Sequence, residues 1–276
     1  MDQKNNGNLL VLNATMILPD KTVLGDLRTE NGTISEIKIG GGLEPNHDEQ
    51  VIDGTGLHLL PGAIDPQVHF REPGQPEKED LGSGSAAAVS GGITSFLDMP
   101  NNKPAITDMK GMQMKLDSAA ATCVNNYGFF IGATPTNLAE LQEVVGTIDA
   151  PRAIPGICGT KVFMGSSTGT LLVNEREALD RIFGGIGGLI AVHAEDEDRL
   201  NERYPSFEHR TDMAAHAEWR DDICALNATK IAVGLALEHQ HRLHVLHLPS
   251  GIEADWLSEK IDSSGLITTE VLPQHL

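Results

Sequence analysis

The pattern of apolar and polar residues divides the chain into two parts. Before about residue 60, short apolar stretches alternate with polar turns such as Asn31-Gly32 and Gly40-Gly41-Gly42. This pattern is typical of a small β layer with tight hairpins. It predicts an N-terminal β-sandwich part over residues 1–60, with strands at 9–12, 15–18, 33–39 and 57–60.

After Gly62 the pattern changes to strand-length apolar stretches that alternate with helix-length segments. Such alternation predicts parallel strands joined by right-handed crossovers, and many of the strands end in a polar residue, as in a (β/α)8 TIM-type barrel. The alternative, a doubly wound open sheet, lacks a GxGxxG motif after an early strand. The predicted strands are 63–70, 93–99, 127–132, 159–164, 188–194, 242–248 and 266–272, and the helices include 81–91, 108–123, 137–146, 175–184 and 217–239.

Seven strands are one fewer than a closed barrel of this type needs. The sequence therefore predicts an incomplete α/β barrel over residues 61–276, with an open edge between its first and seventh strands. We expect either that the chain is a fragment of a longer protein or that something else completes the barrel.

Composition narrows the class of protein. The formal charge is −19, from 39 acidic and 20 basic residues, which argues against a nucleic-acid partner. Three widely spaced cysteines support neither a disulfide framework nor a zinc knuckle. No stretch resembles a signal peptide or a membrane span, so we expect a cytoplasmic protein without a membrane partner.

The first barrel strand carries the most informative residues. Period-two alternation over residues 63–70 places His69 and Arg71 on one face with Asp65 and Gln67. An imidazole that can bind metal would then lie beside a guanidinium that can bind an anion. The alternative for this segment is a strand with one incidental histidine.

Three later strands also end near residues that can bind metal. Lys161 lies in the fourth strand, His193 closes the fifth, and His247 closes the sixth. By alternation His247 shares a face with Leu243 and Val245, which predicts that His244 faces the helices. Imidazole and carboxylate are usual zinc ligands, and a buried lysine that loses its proton can add carbon dioxide to become a carboxylate.

Two further features carry less weight. The acidic run 195–198 is interpreted as a solvated surface, with support of His193 by Glu195 as the alternative. His275 ends the last predicted strand and is interpreted as a structural histidine.

The barrel motifs resemble those of the dihydroorotases, which belong to the amidohydrolase superfamily of metal-dependent barrel hydrolases. The resemblance extends over nearly the whole chain. It implies that His69, Lys161, His193 and His247 bind one or two zinc ions, with Lys161 carboxylated, and that Arg71 and Asn101 hold the substrate carboxylate. It also implies a small-molecule substrate and a homodimer. The most specific matches are residues 68–74, 98–104 and 159–163 and the strand ends at His193 and His247.

Two positions depart from the family pattern. Gln67 stands where the family usually has the first histidine of a His-x-His pair, so it is a doubtful metal ligand with a poor donor for zinc. The family's strand-eight aspartate, the general base, is expected beyond Leu276. No catalytic base is therefore assigned within the 276 residues.

The resemblance implies a dihydroorotase, which reversibly cyclises N-carbamoyl-L-aspartate to (S)-dihydroorotate in UMP biosynthesis. One alternative is another cyclic amidase, such as a hydantoinase or an allantoinase. Arg71 favours dihydroorotate, because allantoinase-like sequences usually have asparagine there. A second alternative, motivated by Gln67, is a catalytically defective dihydroorotase-like partner protein.

Overall fold

The computed structural model describes residues 7–165, 170–261 and 265–275. The chain forms two compact units that divide between Ala63 and Ile64. Within the described residues, no helix combines the length and apolar character needed to cross a membrane.

The first unit contains one five-stranded sheet, so the small β annex is present. Its strands are β1 (Leu9–Ile17), β2 (Thr22–Glu30), β3 (Thr33–Ile39), β4 (Gln50–Asp53) and β5 (His58–Leu59). The order is β3-β2-β1-β4, with β5 also paired to β1. β2 runs antiparallel to β1 and β3, whereas β4 and β5 run parallel to β1.

Two details of the annex differ from the prediction. The stretches 9–12 and 15–18 belong to the single strand β1, whose register shifts around Asn13, a residue with φ of +57°. The carboxylate of Asp26 accepts the Asn13 N–H at 2.8 Å, which satisfies the backbone group that the irregularity frees. Asp26 lies on β2, a strand that the hydrophobic pattern did not reveal.

The second unit is built on a parallel seven-stranded sheet, which confirms the incomplete barrel. The strands are β6 (Ala63–Val68), β7 (Ile93–Asp98), β8 (Asn126–Gly132), β9 (Ile157–Phe163), β10 (Leu189–His193), β11 (Arg242–Val245) and β12 (Ile267–Thr269). They pair in chain order, so among the described residues β6 and β12 form the two edges.

In the described part of the chain, eight α-helices connect these strands. They are α1 (Leu81–Ser90), α2 (Met109–Thr122), α3 (Leu138–Val145), α4 (Arg176–Gly185), α5 (Glu197–Arg203), α6 (Met213–Trp219), α7 (Asp222–Glu238) and α8 (Gly251–Ser258). Five of them begin after an aspartate whose side chain accepts an N–H of the first turn. One cap, Asp221, separates α6 from α7, so the helix predicted over 217–239 is present as α7 but begins at Asp222 rather than at residue 217.

Alternation along the strands separates two apolar layers. Phe96, Phe129 and Val162 belong to the larger core, which also contains buried residues of the helices. A smaller cluster of Met99, Phe130, Ala191 and Leu246 lies on the opposite, inner face of the sheet. Lys161 pairs in register with Ala191, so it also faces inward.

Candidate metal centre

The closest contact between candidate ligands joins the ends of two neighbouring strands. His193 is the last residue of β10, and His247 follows β11 by two residues. The distance from His193 Nδ1 to His247 Nε2 is 2.9 Å. Zinc–nitrogen bonds of about 2.0–2.1 Å allow two nitrogen atoms at this kind of separation to bind one ion.

His247 reaches this position by a route that alternation did not predict. β11 ends at Val245, and His247 has a positive φ of 39°, which turns the chain. Leu243 and Val245 belong to the outer core, so the prediction that His247 shares their face is wrong. The prediction for His244 is also wrong, because it pairs in register with Ala191 and therefore faces inward.

His244 takes part in a second polar cluster on that inner face. Its Nδ1 lies 2.8 Å from Thr268 Oγ1, and its Nε2 lies 3.1 Å from Glu270 Oε2. The other carboxylate oxygen, Glu270 Oε1, is buried and has no hydrogen-bond partner among the described residues. Glu270 was not among the residues predicted from the sequence, although it lies one residue beyond β12, at the end of a parallel strand where functional groups often lie.

Lys161 is completely buried on β9 and its amine is unpaired. Within the described residues its Nζ has no hydrogen-bond partner, and it lies 4.6 Å from the centre of the Phe163 ring. Burial lowers the pKa of Lys161 well below its ordinary value, with Glu270 acting in the opposite direction. Lys161 therefore loses its proton more readily than an exposed lysine, and the neutral amine is the form that reacts with carbon dioxide.

His69 is held by Asn101. The distance from His69 Nδ1 to Asn101 Oδ1 is 2.7 Å. Because an amide oxygen only accepts hydrogen bonds, His69 Nδ1 carries the proton and Nε2 keeps its lone pair. Burial lowers the pKa of His69 to about 4 despite this bond, and the charges of Lys161, Arg71 and His193 act in the same direction.

The three histidines do not form one compact trio. Among the described residues, three histidine, cysteine or acidic ligand atoms lie within 4.8 Å of one another at only one cluster, Asp180, Glu238 and His239. His239 precedes β11 in the chain, whereas His247 follows it. The cluster therefore lies at the opposite end of the sheet from the candidate site. Burial is the largest cause that lowers the pKa values of His69 and His247, and the charge of a protonated Lys161 acts in the same direction at both.

Arg71 lies beside His69 in the turn after β6. Its backbone N–H donates to Glu79 O at 3.0 Å, which anchors the turn. The half-buried guanidinium forms no hydrogen bond or ion pair with the described residues. It is therefore available to an anionic ligand, unlike a guanidinium that already holds a carboxylate.

Gln67, the doubtful ligand, lies on β6. Its Oε1 is buried and has no hydrogen-bond partner in the described part of the chain. A buried carbonyl oxygen without a donor is costly, and a cation would satisfy it. Gln67 Oε1 therefore fits a site that binds a cation, and Lys161 fits such a site once its amine has lost its proton or become a carboxylate.

An acidic side chain that we expected to be solvated contacts the centre directly. Glu195 Oε2 lies 2.6 Å from His193 Nε2, and Arg220 holds the same carboxylate with two hydrogen bonds. Burial alone would raise the pKa of Glu195, but the bonds from His193 and Arg220 outweigh it and lower that pKa to about 2. The solvated interpretation is therefore wrong for Glu195.

A cavity of about 540 Å³ opens beside these residues. Its lining includes His193, Glu195, Arg220, His247 and His275. His275 belongs to a short 3-10 helix, Pro273–His275, rather than to the last strand. The volume falls in the range of small-molecule sites.

Comparison with known proteins gives consistent relatives. The amidohydrolase family profile matches residues 58–275. A dihydroorotase of Methanosarcina acetivorans is 34% identical over 262 residues, covering 91% of this chain and 53% of that protein. An allantoinase of Rubrobacter xylanophilus is 32% identical over 265 residues, covering 92% of this chain and 55% of that protein.

Solved structures show the same fold. The L-hydantoinase (dihydropyrimidinase) from Arthrobacter aurescens matches with a TM-score of 0.84 at 24% identity, covering 97% of this chain and 58% of that one. A crystal structure of a D-hydantoinase matches with a TM-score of 0.79 at 27% identity. The chain spans about half the length of the curated relatives it matches.

Proposed function

Because the chain belongs to the amidohydrolase family, we propose that it carries the metal centre of a cyclic amide hydrolase whose substrate is dihydroorotate. The reaction interconverts dihydroorotate and N-carbamoyl-L-aspartate, a step of UMP synthesis. The observation that supports the proposal is the set of side chains near the strand ends. It comprises a histidine pair 2.9 Å apart, a buried Lys161 amine, and Arg71 two residues after His69, and neither the Lys161 amine nor the Arg71 guanidinium has a partner among the described residues.

The ligand set divides into two groups around Lys161. His193 and His247 are close enough to share one ion, whereas Gln67 on β6 and His69, which directly follows β6, would serve a second. Addition of carbon dioxide to the neutral Lys161 amine would form a carbon–nitrogen bond and release one proton, and the resulting carboxylate would be a further ligand. When bound, zinc supplies a Lewis acid that polarises a carbonyl and makes water a better nucleophile.

Arg71 is proposed to orient the substrate. A planar guanidinium can form two parallel hydrogen bonds with the carboxylate of dihydroorotate. Asn101 has a double role in this proposal: its oxygen accepts from His69, and its amide group remains a donor for the same carboxylate.

Two related cyclic amides compete with dihydroorotate as substrates. Allantoinases are among the relatives and hydantoinases among the matching structures. Neither allantoin nor hydantoin carries a carboxylate for Arg71 to hold. Preference for dihydroorotate therefore tests the role of Arg71 as well as the substrate.

The test uses zinc binding and ligand binding by the 276-residue chain, followed by hydrolysis assays with all three cyclic amides. We expect one or two zinc ions per chain and tighter binding of dihydroorotate than of allantoin or hydantoin. Folded chain that binds neither zinc nor dihydroorotate would contradict the proposal and favour the partner role. A preference for allantoin or hydantoin would contradict only the choice of substrate.

Arg71→Lys isolates the carboxylate contact. The variant keeps the charge but loses the fork, so we expect dihydroorotate to bind about 10-fold or more weakly, with zinc content unchanged. In a form of the protein that turns over, kcat/KM falls with it. Arg242→Lys is the matched control, since Arg242 is exposed at the start of β11, at the other end of the sheet. Equal affinity in Arg71→Lys and wild type would refute the assignment.

A further inference from the structure

We propose that Glu195 and Arg220 are positioning residues that hold His193 in the orientation and tautomer required to bind the metal. The inference rests on the proposed metal centre. It assigns a role to a carboxylate and a guanidinium that neither bind the ion nor contact the substrate in the proposal above.

Glu195 determines which nitrogen of His193 carries the proton. The carboxylate oxygen lies 2.6 Å from His193 Nε2 and its side chain is only 11% exposed. A carboxylate accepts but does not donate, so Nε2 carries the proton and Nδ1 keeps its lone pair. Nδ1 is the atom that faces His247 Nε2. The carboxylate thus directs the free lone pair toward the place where the ion would bind.

Arg220 in turn fixes the carboxylate. Its Nε donates to Glu195 Oε1 at 2.6 Å, and its Nη2 donates to Oε2 of the same group. Such a two-point contact restrains both the position and the rotation of the carboxylate plane. The third nitrogen, Nη1, lies 3.1 Å from His216 Nε2. With its three nitrogen atoms engaged, Arg220 is poorly suited to bind the substrate carboxylate, which leaves that task to Arg71.

The chain around Arg220 is anchored independently. Arg220 lies between α6 and α7, in the excursion of the chain that follows β10. Trp219 Nε1 donates to Leu200 O at 2.8 Å, and Asp221 receives two hydrogen bonds from Arg199. Both neighbours of Arg220 are therefore fixed. The segment between β10 and β11 thus supports His193, the candidate ligand at the end of β10.

The arrangement at His193 parallels the one at His69. In each case a side-chain oxygen accepts from one ring nitrogen and leaves the other nitrogen unprotonated. At His69 the acceptor is the neutral amide of Asn101, whereas at His193 it is a carboxylate. Outer partners of this kind typically change metal affinity by about 10- to 100-fold when they are removed.

The test measures zinc affinity at pH 7 by chelator competition, with zinc alone as the probe. All proteins carry His239→Ala, which removes the surface cluster with Asp180 and Glu238 as a second zinc site. We expect about 10- to 100-fold weaker binding in Glu195→Gln and about 10-fold weaker binding in Arg220→Ala. Arg220→Lys keeps the charge without the fork and is expected to recover only part of the loss.

One further measurement and one control variant separate the positioning of His193 from a general loss of protein stability. Nitrogen-15 NMR of metal-free protein reports the His193 tautomer, which we expect to be protonated at Nε2 in wild type and mixed in Glu195→Gln. Arg210→Ala is the matched control, because Arg210 pairs with Asp212 and Glu218 in the same excursion but does not contact His193. Its zinc affinity and His193 tautomer should equal those of wild type.

The outcomes distinguish this inference from the proposed function. If the parent protein binds no zinc, both fail. If the parent binds zinc and Glu195→Gln and Arg220→Ala bind it equally well, only the positioning role fails. If Arg220→Ala causes no further loss in a Glu195→Gln background, the two residues act in one chain of contacts, as proposed; additive losses would contradict that chain.

Discussion

Lys115 on α2 and Lys161 on β9 are buried to the same extent, with exposures of 1% and 0%. Lys115 Nζ lies 2.7 Å from Asp98 Oδ2 and donates to Asn102 Oδ1 at 2.8 Å. Lys161 has no comparable partner among the described residues. Since burial of an amine is costly in both places, the difference separates a structural lysine from one available for chemistry.

The two partners of Lys115, Asp98 and Asn102, also hold the end of β6 and the turn after it, which carry the proposed ligands. Asp98 Oδ1 accepts the Phe70 N–H at 3.0 Å, and the amide of Asn102 donates to Phe70 O and Glu72 O. These bonds hold the backbone on both sides of Arg71. Lys161 lies on the inner face of the sheet. Under the proposed function, Lys115 helps to position the strand ends, whereas Lys161 takes part in metal binding.

The largest expected loss of stability comes from breaking the ion pair between Lys115 and Asp98. Lys115→Met leaves the buried carboxylate of Asp98 without its cation, which should lower the free energy of unfolding by about 3 to 5 kcal/mol. Urea denaturation of the metal-free chain measures it. Lys110→Met, on the exposed face of the same helix, is the control. A loss no larger than that of the control would show that the pair is not structural.

A smaller loss of stability is expected when Asp26 in the first unit is replaced, since its carboxylate accepts two backbone hydrogen bonds. Burial alone would raise its pKa, but backbone N–H groups of Asn13 and Leu43, each 2.8 Å away, outweigh it and lower that pKa. Asp26→Asn should cost about 1 to 3 kcal/mol near neutral pH.

The pH dependence gives Asp26 a second readout. A lowered folded-state pKa means that the unfolded chain binds a proton more readily, so the stabilisation is present above the ordinary pKa of 3.8 and is lost as pH falls through the lower folded value. The difference between wild type and Asp26→Asn should therefore shrink in acid. Asp20→Asn, in an exposed turn, serves as control. A difference that grows in acid would contradict this account.

The smallest expected change in stability comes from Lys161. Lys161→Met replaces an unpaired amine by an apolar chain of similar size, so the free energy of unfolding of metal-free protein should stay within about 1 kcal/mol of wild type or rise. Zinc content should nevertheless fall. A loss of stability as large as that of Lys115→Met would mean that Lys161 is a second structural lysine.

Local sequence patterns predicted the architecture well, but they did not predict the side-chain contacts between elements. Alternation of strands and helices is a short-range signal, and it predicted the seven parallel strands and placed Lys161 and His193 at strand ends. Lys115 was not singled out, because nothing within α2 distinguishes it and its partner Asp98 lies on another element. The Arg220–Glu195 contact was missed for the same reason.

His247 illustrates a different limit. Strict alternation holds only inside a strand, and β11 ends two residues earlier, so the argument about faces was wrong for both His247 and His244. The positive φ of His247 depends on packing that no local pattern encodes. Support of His193 by Glu195 was the alternative interpretation of the acidic run, and the structure shows that contact.

The central claim is that the unpaired Lys161 amine becomes the carboxylate that joins the two halves of the metal centre. Carbon-13 NMR of the zinc-loaded chain in labelled bicarbonate tests it most directly. The account predicts a carbamate carbon signal in wild type and in Lys110→Met, and its loss in Lys161→Met. Wild-type protein that binds zinc fully but shows no such signal would contradict the account.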